Sequence, residues 1–257
     1  MLHKNYIDDV VLALAAAPVD SRTGNRVLYS VDWVADKPTM IGKVNEDWVR
    51  RELAWFRSGS DKLADMEAPV PKLFEACAGT DPEGKVNSAY GHILFGFDDG
   101  REPTHVGLFD DVVDAFVSKG LGTRHAVAII SDRQVHRLST FQGRNDFICT
   151  NALNFMVDEN KALHIIAQMR SMDAVFGYRA DYSMWDDLME SLLKFLYEEH
   201  DIALVRGDIT FQVANLHVYP RHFDLLEAVA LDTEERLQRR VWQEPVTVRG
   251  LDDRGRL

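Results

Sequence analysis

The chain is poor in cysteine, in basic residues and in long apolar runs. Its 257 residues include only two cysteines, Cys77 and Cys149. They lie too far apart for a CxxC pair and are too few for a disulfide framework, so a reducing compartment is expected. Lys and Arg number 29 against 41 Asp and Glu, a formal charge of −12. That balance argues against a nucleic-acid polymer as ligand, because phosphate-backbone binding draws on a surplus of cations. A mononucleotide needs only a local pocket of cations and stays open. The apolar stretch VVLALAAA is too short to cross a bilayer and follows Asp8 and Asp9, where a signal peptide carries basic residues. It is read as an N-terminal helix ended near Pro18, with no membrane partner. A GxGxxG turn, internal repeats and low-complexity tracts are all missing. His217 and His222 do not have zinc-ligand spacing and no carboxylate joins them, so no metal is expected.

What is present is a mixture of two periodicities. Helical spacing marks residues 45–57, 108–119, 182–199 and 221–238, while β-rich runs occupy 26–34, 125–131, 146–157, 163–169 and 209–219. Gly and Pro gather at 58–71 and 79–84, which read as loops on a single domain spanning 1–257. Helices interleaved with strands without regular βα alternation predict an α+β fold, a mixed β-sheet flanked by helices.

The stretch NDFICTNALNFMVDENKALHIIAQMRSMDAVFGYRADY, residues 145–182, concentrates the chemistry. Cys149 is a nucleophile if a nearby cation holds its thiolate, and otherwise a buried inert thiol; Cys77 lacks polar company and reads as buried. Arg170 and Ser171 end an apolar run, where a planar guanidinium and a hydroxyl can hold a phosphate. The competing use of Arg170 is an ion pair with Asp173. Arg22, in SRTGN, suits an anion-binding turn or a solvated one. Asp181 is expected to start or cap the next helix. His217 and Tyr219 stand two apart on a strand and so share a face, able to bind a sugar hydroxyl or to form a satisfied core pair. Glu52, in RELAWFRS, has apolar neighbours; burial would raise its pKa and suit proton transfer, whereas an amphipathic-helix position would leave it ordinary.

In their order, SRTGN, VNEDWVRRELAWFRS, KVNSAYG, NDFICTN, MRSMDAVFGYRADY and GDITFQVANLHVYPRHF resemble the thymidylate synthase superfamily. Within it they look closest to the phage-type deoxycytidylate (dCMP) hydroxymethylases. The resemblance implies a thymidylate synthase-like fold that dimerises through its sheet. It implies that Cys149 adds to carbon 6 of a pyrimidine, that Glu52 is the general acid/base carboxylate and that Tyr90 is the active-site tyrosine. Arg22, Arg170 and Ser171 would hold the phosphate, His217 and Tyr219 the ribose, and Asp173 would contact substrate. Arg124, in GTRHAV, would be donated across the interface of a homodimer. The one-carbon donor would be 5,10-methylenetetrahydrofolate, and the setting the cytoplasm of a bacterial cell or phage-infected host.

Thymidylate synthases resemble this chain at 181 but carry Asn, whose amide both donates to and accepts from uracil. An acid at Asp181 suits cytosine, which presents an amino group and a protonatable ring nitrogen. The expected reaction is therefore hydroxymethylation of carbon 5 of dCMP or CMP. Reductive methylation to 5-methyl-dCMP or dTMP, and a catalytically silent nucleotide-binding paralogue, are the alternatives. Three departures from the family pattern stand out. Arg124–His125 replaces a pair of arginines, Phe74 replaces a frequent tryptophan, and the tail PVTVRGLDDRGRL does not match the closing segment.

Overall fold

The computed structural model describes residues 5–78, 81–96, 107–131 and 146–243. In chain order the helices are α1 (Ile7–Ala16), α2 (Glu46–Arg57), α3 (Lys72–Ala78), α4 (Tyr90–Phe95), α5 (Leu108–Lys119), α6 (Gly177–His200) and α7 (Phe223–Gln243). The strands are β1 (Arg26–Val34), β2 (Val127–Ile129), β3 (Thr150–Val157), β4 (Ala162–Met169), β5 (Met172–Asp173) and β6 (Val205–Val218). They form one sheet in the order β1-β6-β4-β3-β2, with β5 beside β6. β4 and β5 run parallel to β6, and the other pairs are antiparallel, so the sheet is mixed.

The core lies between this sheet and α6. Tyr178, Trp185, Leu188, Met189, Leu192 and Leu196 recur at helical spacing on α6 and are essentially sealed from solvent. Beneath them β4 contributes Leu163, Ile165, Ala167 and Met169 at strict alternation. Each buried Leu, Ile or Met among them stabilises the fold by roughly 1.5–3 kcal/mol. One buried cluster runs from Ile7 on α1 to Ala230 on α7. A smaller one, Trp55, Met66, Ala78, Val86 and Ala89, fills the space under the 58–89 region, where Phe74 packs on Trp48 and Trp55.

The sheet changes phase where it meets the chemistry-bearing residues. On β6 the inward residues are Ile209, Phe211 and Val213, then Leu216 and Val218. The shift falls between Val213, which pairs with Met169, and Leu216, which pairs with Met172. Arg170 and Ser171 occupy the matching gap between β4 and β5. Asn215 and His217 are thereby turned to the face opposite Leu216 and Val218.

Among the expected boundaries that differ, β6 starts at Val205 and not at 209, α7 runs Phe223–Gln243 and not 221–238, and three others bear on the site. The strand expected over 146–157 begins only at Thr150, because the carbonyls of Phe147 and Ile148 are taken by the Arg170 side chain instead of a ladder partner. The strand expected over 125–131 contracts to Val127–Ile129, the part facing β3, and the His125 amide turns to Thr123 Oγ1. Helix α6 starts at Gly177 and not at Tyr182, so Asp181 sits inside it and does not cap it. Asp173 closes the turn ahead of the helix, its carboxylate accepting from the amides of Val175 (3.0 Å) and Phe176 (3.3 Å), and the N-cap is Phe176, without a side-chain cap bond. The short helices α3 and α4 are additions to the sequence reading. Residues 79–80 and the tail 244–257 lie outside the described residues.

Candidate active site

Register places the thiol. Thr150 pairs with Met169 across β3 and β4, so Cys149 lies opposite Arg170, whose amide donates to the Cys149 carbonyl at 2.9 Å. The Arg170 side chain then folds back over the 146–149 segment. Its Nε donates to the Ile148 carbonyl (2.8 Å), its Nη2 to the Phe147 carbonyl (2.6 Å), and its guanidinium stacks on the Phe147 ring at 4.5 Å. The same Nη2 stands 3.5 Å from Cys149 Sγ. The competing ion pair with Asp173 is not what fixes Arg170.

Burial pushes the Cys149 thiol up to about 11; Arg170 opposes the rise, while the charges of Asp181 and Asp146 add to it. In the free chain the sulfur is therefore a thiol at neutral pH, because desolvation outweighs the one adjacent cation. Tyr90, the first residue of α4, is buried beside it. Its hydroxyl accepts from both the amide and Oγ1 of Thr150, each at 3.2 Å, and its ring lies 5.3 Å from that of Trp185. Asp146 ties α4 to the same segment by accepting from the Ser88 amide at 2.7 Å.

Two acids meet next to this group, where α2 packs on α6. Glu52 is 7% exposed. Burial raises it to about 7, against the pull of a Trp48 hydrogen bond and the Arg179 charge. Asp181, equally buried, is held well above the usual carboxylate range by burial and by the charge of Glu52. Asp181 in turn raises both Cys149 and Tyr90. Thiol, phenol and two carboxyls thus share one electrostatic neighbourhood, with Arg170 and Arg179 at its edges.

His217 and Tyr219 do meet: their rings are 5.0 Å apart and nearly perpendicular. Burial lowers His217, which keeps the imidazole neutral at pH 7, and its Nδ1 lies 3.1 Å from Asn215 Oδ1. Arg221 covers the Tyr219 ring at 4.5 Å. Asp173 reaches both His217 and Tyr219 electrostatically.

The remaining sequence candidates stand further out. Ser171 is half-buried in the gap between β4 and β5. Arg22 is exposed, bound to Asp20 (2.7 Å) and Tyr29 (3.2 Å). It is linked to the site through Tyr29, whose cross-strand partner is Asn215, and through Gly24, which lies against Pro220. Arg124 is exposed on the turn before β2. Two residues that the sequence reading passed over belong to the group, Arg179 and Asn215. Each stands two positions before a named candidate, a spacing that places Asn215 on the His217 face of its strand. Among the described residues no cluster of three or more His, Cys, Asp or Glu could hold a metal ion, and no described helix is long and apolar enough to cross a membrane.

Comparison with known proteins bears on the family and the fold. The family profile described as thymidylate synthase matches residues 38–247. The chain is 28% identical over 212 residues to the deoxycytidylate 5-hydroxymethyltransferase of Enterobacteria phage T4, covering 81% of this chain and 82% of the relative. The enzymes of the same name from phages T2 and T6 match to the same extent. Among solved structures, thermostable thymidylate synthase A from Bacillus subtilis superposes with a TM-score of 0.65 at 16% identity, covering 87% of this chain and 82% of that one. Thymidylate synthase from T4 phage gives 0.62 at 18% identity, covering 99% and 87%.

Proposed function

The chain belongs to the thymidylate synthase family, and from that premise we propose that it hydroxymethylates carbon 5 of a cytidine monophosphate, dCMP or CMP, with 5,10-methylenetetrahydrofolate as donor. The observation that carries this reading is the acid at 181, buried, raised well above the usual carboxylate range by burial and by the charge of Glu52, and electrostatically coupled to Cys149. A single proton shared between Asp181 and ring nitrogen 3 lets the carboxyl donate to or accept from that nitrogen while its other oxygen accepts from the exocyclic amine. The phage deoxycytidylate 5-hydroxymethyltransferases, similar over four-fifths of their length, support the same base.

The roles follow from position. Cys149 Sγ, a thiol in the free chain, gives up its proton as it bonds to carbon 6 of the pyrimidine, and the ring electrons move onto carbon 5. Arg170 offsets the charge on sulfur, and the Glu52 carboxylate, titrating near 7, is able to take the proton. Arg170, Ser171 and Arg22 would hold the phosphate, and His217 Nε2 with Tyr219 the sugar hydroxyl. Bound methylenetetrahydrofolate supplies one carbon at the oxidation level of formaldehyde. Two part-exposed aromatic rings fit such a flat donor, Trp48, which bonds Glu52, and Phe176, stacked with Arg179. Glu52, titrating near neutral pH, can hold a water against the carbon attached at position 5 and take its proton as the C–O bond forms. For this the carbon 5 proton must be lost and the transferred carbon must part from the folate nitrogen before water adds. Departure of Cys149 as thiolate then restores the 5,6 double bond.

Incubation with dCMP, CMP or dUMP and methylenetetrahydrofolate tests the proposal. Tetrahydrofolate together with a hydroxymethylated cytidylate is the expected outcome. Dihydrofolate with a methylated product would instead establish reductive methylation, and failure to release tritium from carbon 5 of labelled substrate would establish a silent binder. Asp181→Asn should cost on the order of 10⁴-fold in kcat/KM for the cytidylate, since a buried pattern built for one base edge is then mismatched.

The same proposal includes a homodimer through the sheet, with Arg124 reaching the partner's phosphate site. Its support is the outward face of β2 and β3, where Ile129 (61%) and Met156 (52%) are exposed large hydrophobics, and Arg124 lines a depression with Asn154 and Met156.

A further inference from the structure

Arg179 has no part in the reaction as described, yet it is only 9% exposed. Its Nη1 donates to the Lys43 carbonyl at 2.6 Å, and its guanidinium lies 4.5 Å over the Phe176 ring. The edge of that ring meets His222 at 5.1 Å. Lys43 precedes by two residues Asn45, the N-cap of α2, whose side chain accepts from the Trp48 amide. Glu52 follows two turns along. The neighbouring Tyr178 donates its hydroxyl to the Lys37 carbonyl at 2.7 Å. Consecutive residues of α6 therefore pin both ends of the 37–43 segment that leads into α2. A guanidinium withdrawn from water costs several kcal/mol, and an apolar side chain could fill the same space without that cost. The charge itself needs a use.

We infer that Arg179 is a positioning residue of the reaction, locking the entrance of α2 to the first turns of α6 and setting a positive charge against Glu52. The groups around it agree. Glu52 from α2 and Asp173 from β5 act on Arg179, and His222 from the turn after β6 feels its charge. Glu52 itself faces Arg179 and Asp181 from α6 and Trp48 from its own helix. Arg179 is the member of this set that favours the ionised Glu52 by charge. The inference rests on the reading of Glu52 as the proton carrier in a cytidylate hydroxymethylase.

The test compares wild type with Arg179→Met and Arg179→Lys. Glu52 is titrated in the free protein by isotope-edited carboxyl NMR, and kcat and KM for the cytidylate are measured against pH. Arg179→Met should raise the Glu52 midpoint by about one pH unit and move the acid limb of the rate profile with it. It should lower kcat about 10- to 100-fold while KM shifts by less than about 3-fold. Arg179→Lys should restore the midpoint but only part of kcat, since an ammonium cannot both reach Lys43 and lie flat on Phe176. An unmoved Glu52 midpoint in Arg179→Met overturns the inference. So does a loss confined to KM. If Arg179→Met fails to fold by circular dichroism, the lysine variant decides: full kcat there overturns the positional half. Absence of turnover in the wild type would sink the proposed function instead, and the titration would still judge Arg179.

Discussion

Glu52 and Asp181 are both carboxylic acids sealed from solvent, and their neighbours differ: Trp48 and Arg179 favour ionised Glu52, while the charge of Glu52 works against ionising Asp181. Their separate protonation behaviour was half legible in the sequence. Apolar neighbours in RELAWFRS foretold the burial of Glu52, but Asp181 looked like a helix cap because capping is the commonest use of Asp ahead of a helical run. The helix starts at Gly177 behind its N-cap Phe176, which leaves Asp181 in the second turn and buried. The Glu52 shift has a consequence for stability. Its folded value of about 7 lies above the ordinary 4.5, so the contribution to stability is fully present below about pH 4.5 and is lost as pH rises through 7. Relative to Glu52→Gln, wild type should lose about 3 kcal/mol between pH 4 and pH 8. Urea unfolding of both proteins at the two pH values measures this, and parallel stabilities would contradict the burial argument.

At the scale of elements, the thiol, phenol and acids are assembled by contacts between pieces distant in sequence. α4 is six residues long and carries Tyr90 at its start. Such a short helix has little stability of its own, and the sequence reading passed over it for the same reason. It is held by the Tyr90–Thr150 bonds, by Asp146 on Ser88, and by a close crossing with α2 at Gly91. A methyl group on Gly91 would fall inside the Phe56 backbone, which cannot step aside as a flexible side chain could. Gly91→Ala should therefore destabilise the protein by about 3 kcal/mol or more and disturb the Tyr90–Thr150 contact. The check is a thermal melt together with the rate of Cys149 alkylation in a Cys77→Ser background. An unchanged melting temperature would show that α4 and α2 can separate without cost.

For the whole molecule, the sheet has one face under α6 and another bearing Ile129 and Met156 in the open. A single chain leaves Arg124 exposed on that side. If the outward face is where two copies meet, Ile129→Glu should yield monomers and lose at least about 10-fold in activity, because a charge cannot be buried unpaired in an apolar interface. Sedimentation velocity and turnover measured on the same sample check both halves. A fully active monomer would remove Arg124 from the phosphate site.

The sequence by itself determined the class of fold and the segments that carry the chemistry. Period-2 and period-3.6 patterns fixed β1, β4 and α5 almost to the residue, since local spacing is all that a strand or helix face requires. Residue types fixed the list of reactive groups. Tertiary structure alone decided which of them meet. The phase shift in β6 turns His217 and Asn215 away from the core, the Thr150–Met169 register sets Arg170 against Cys149, and the packing of α2 on α6 brings Glu52, Arg179 and Asp181 together. These outcomes depend on registers and burial shared by segments far apart in the chain, and desolvation, the largest influence on Cys149, Glu52 and Asp181, exists only once those segments have closed over them.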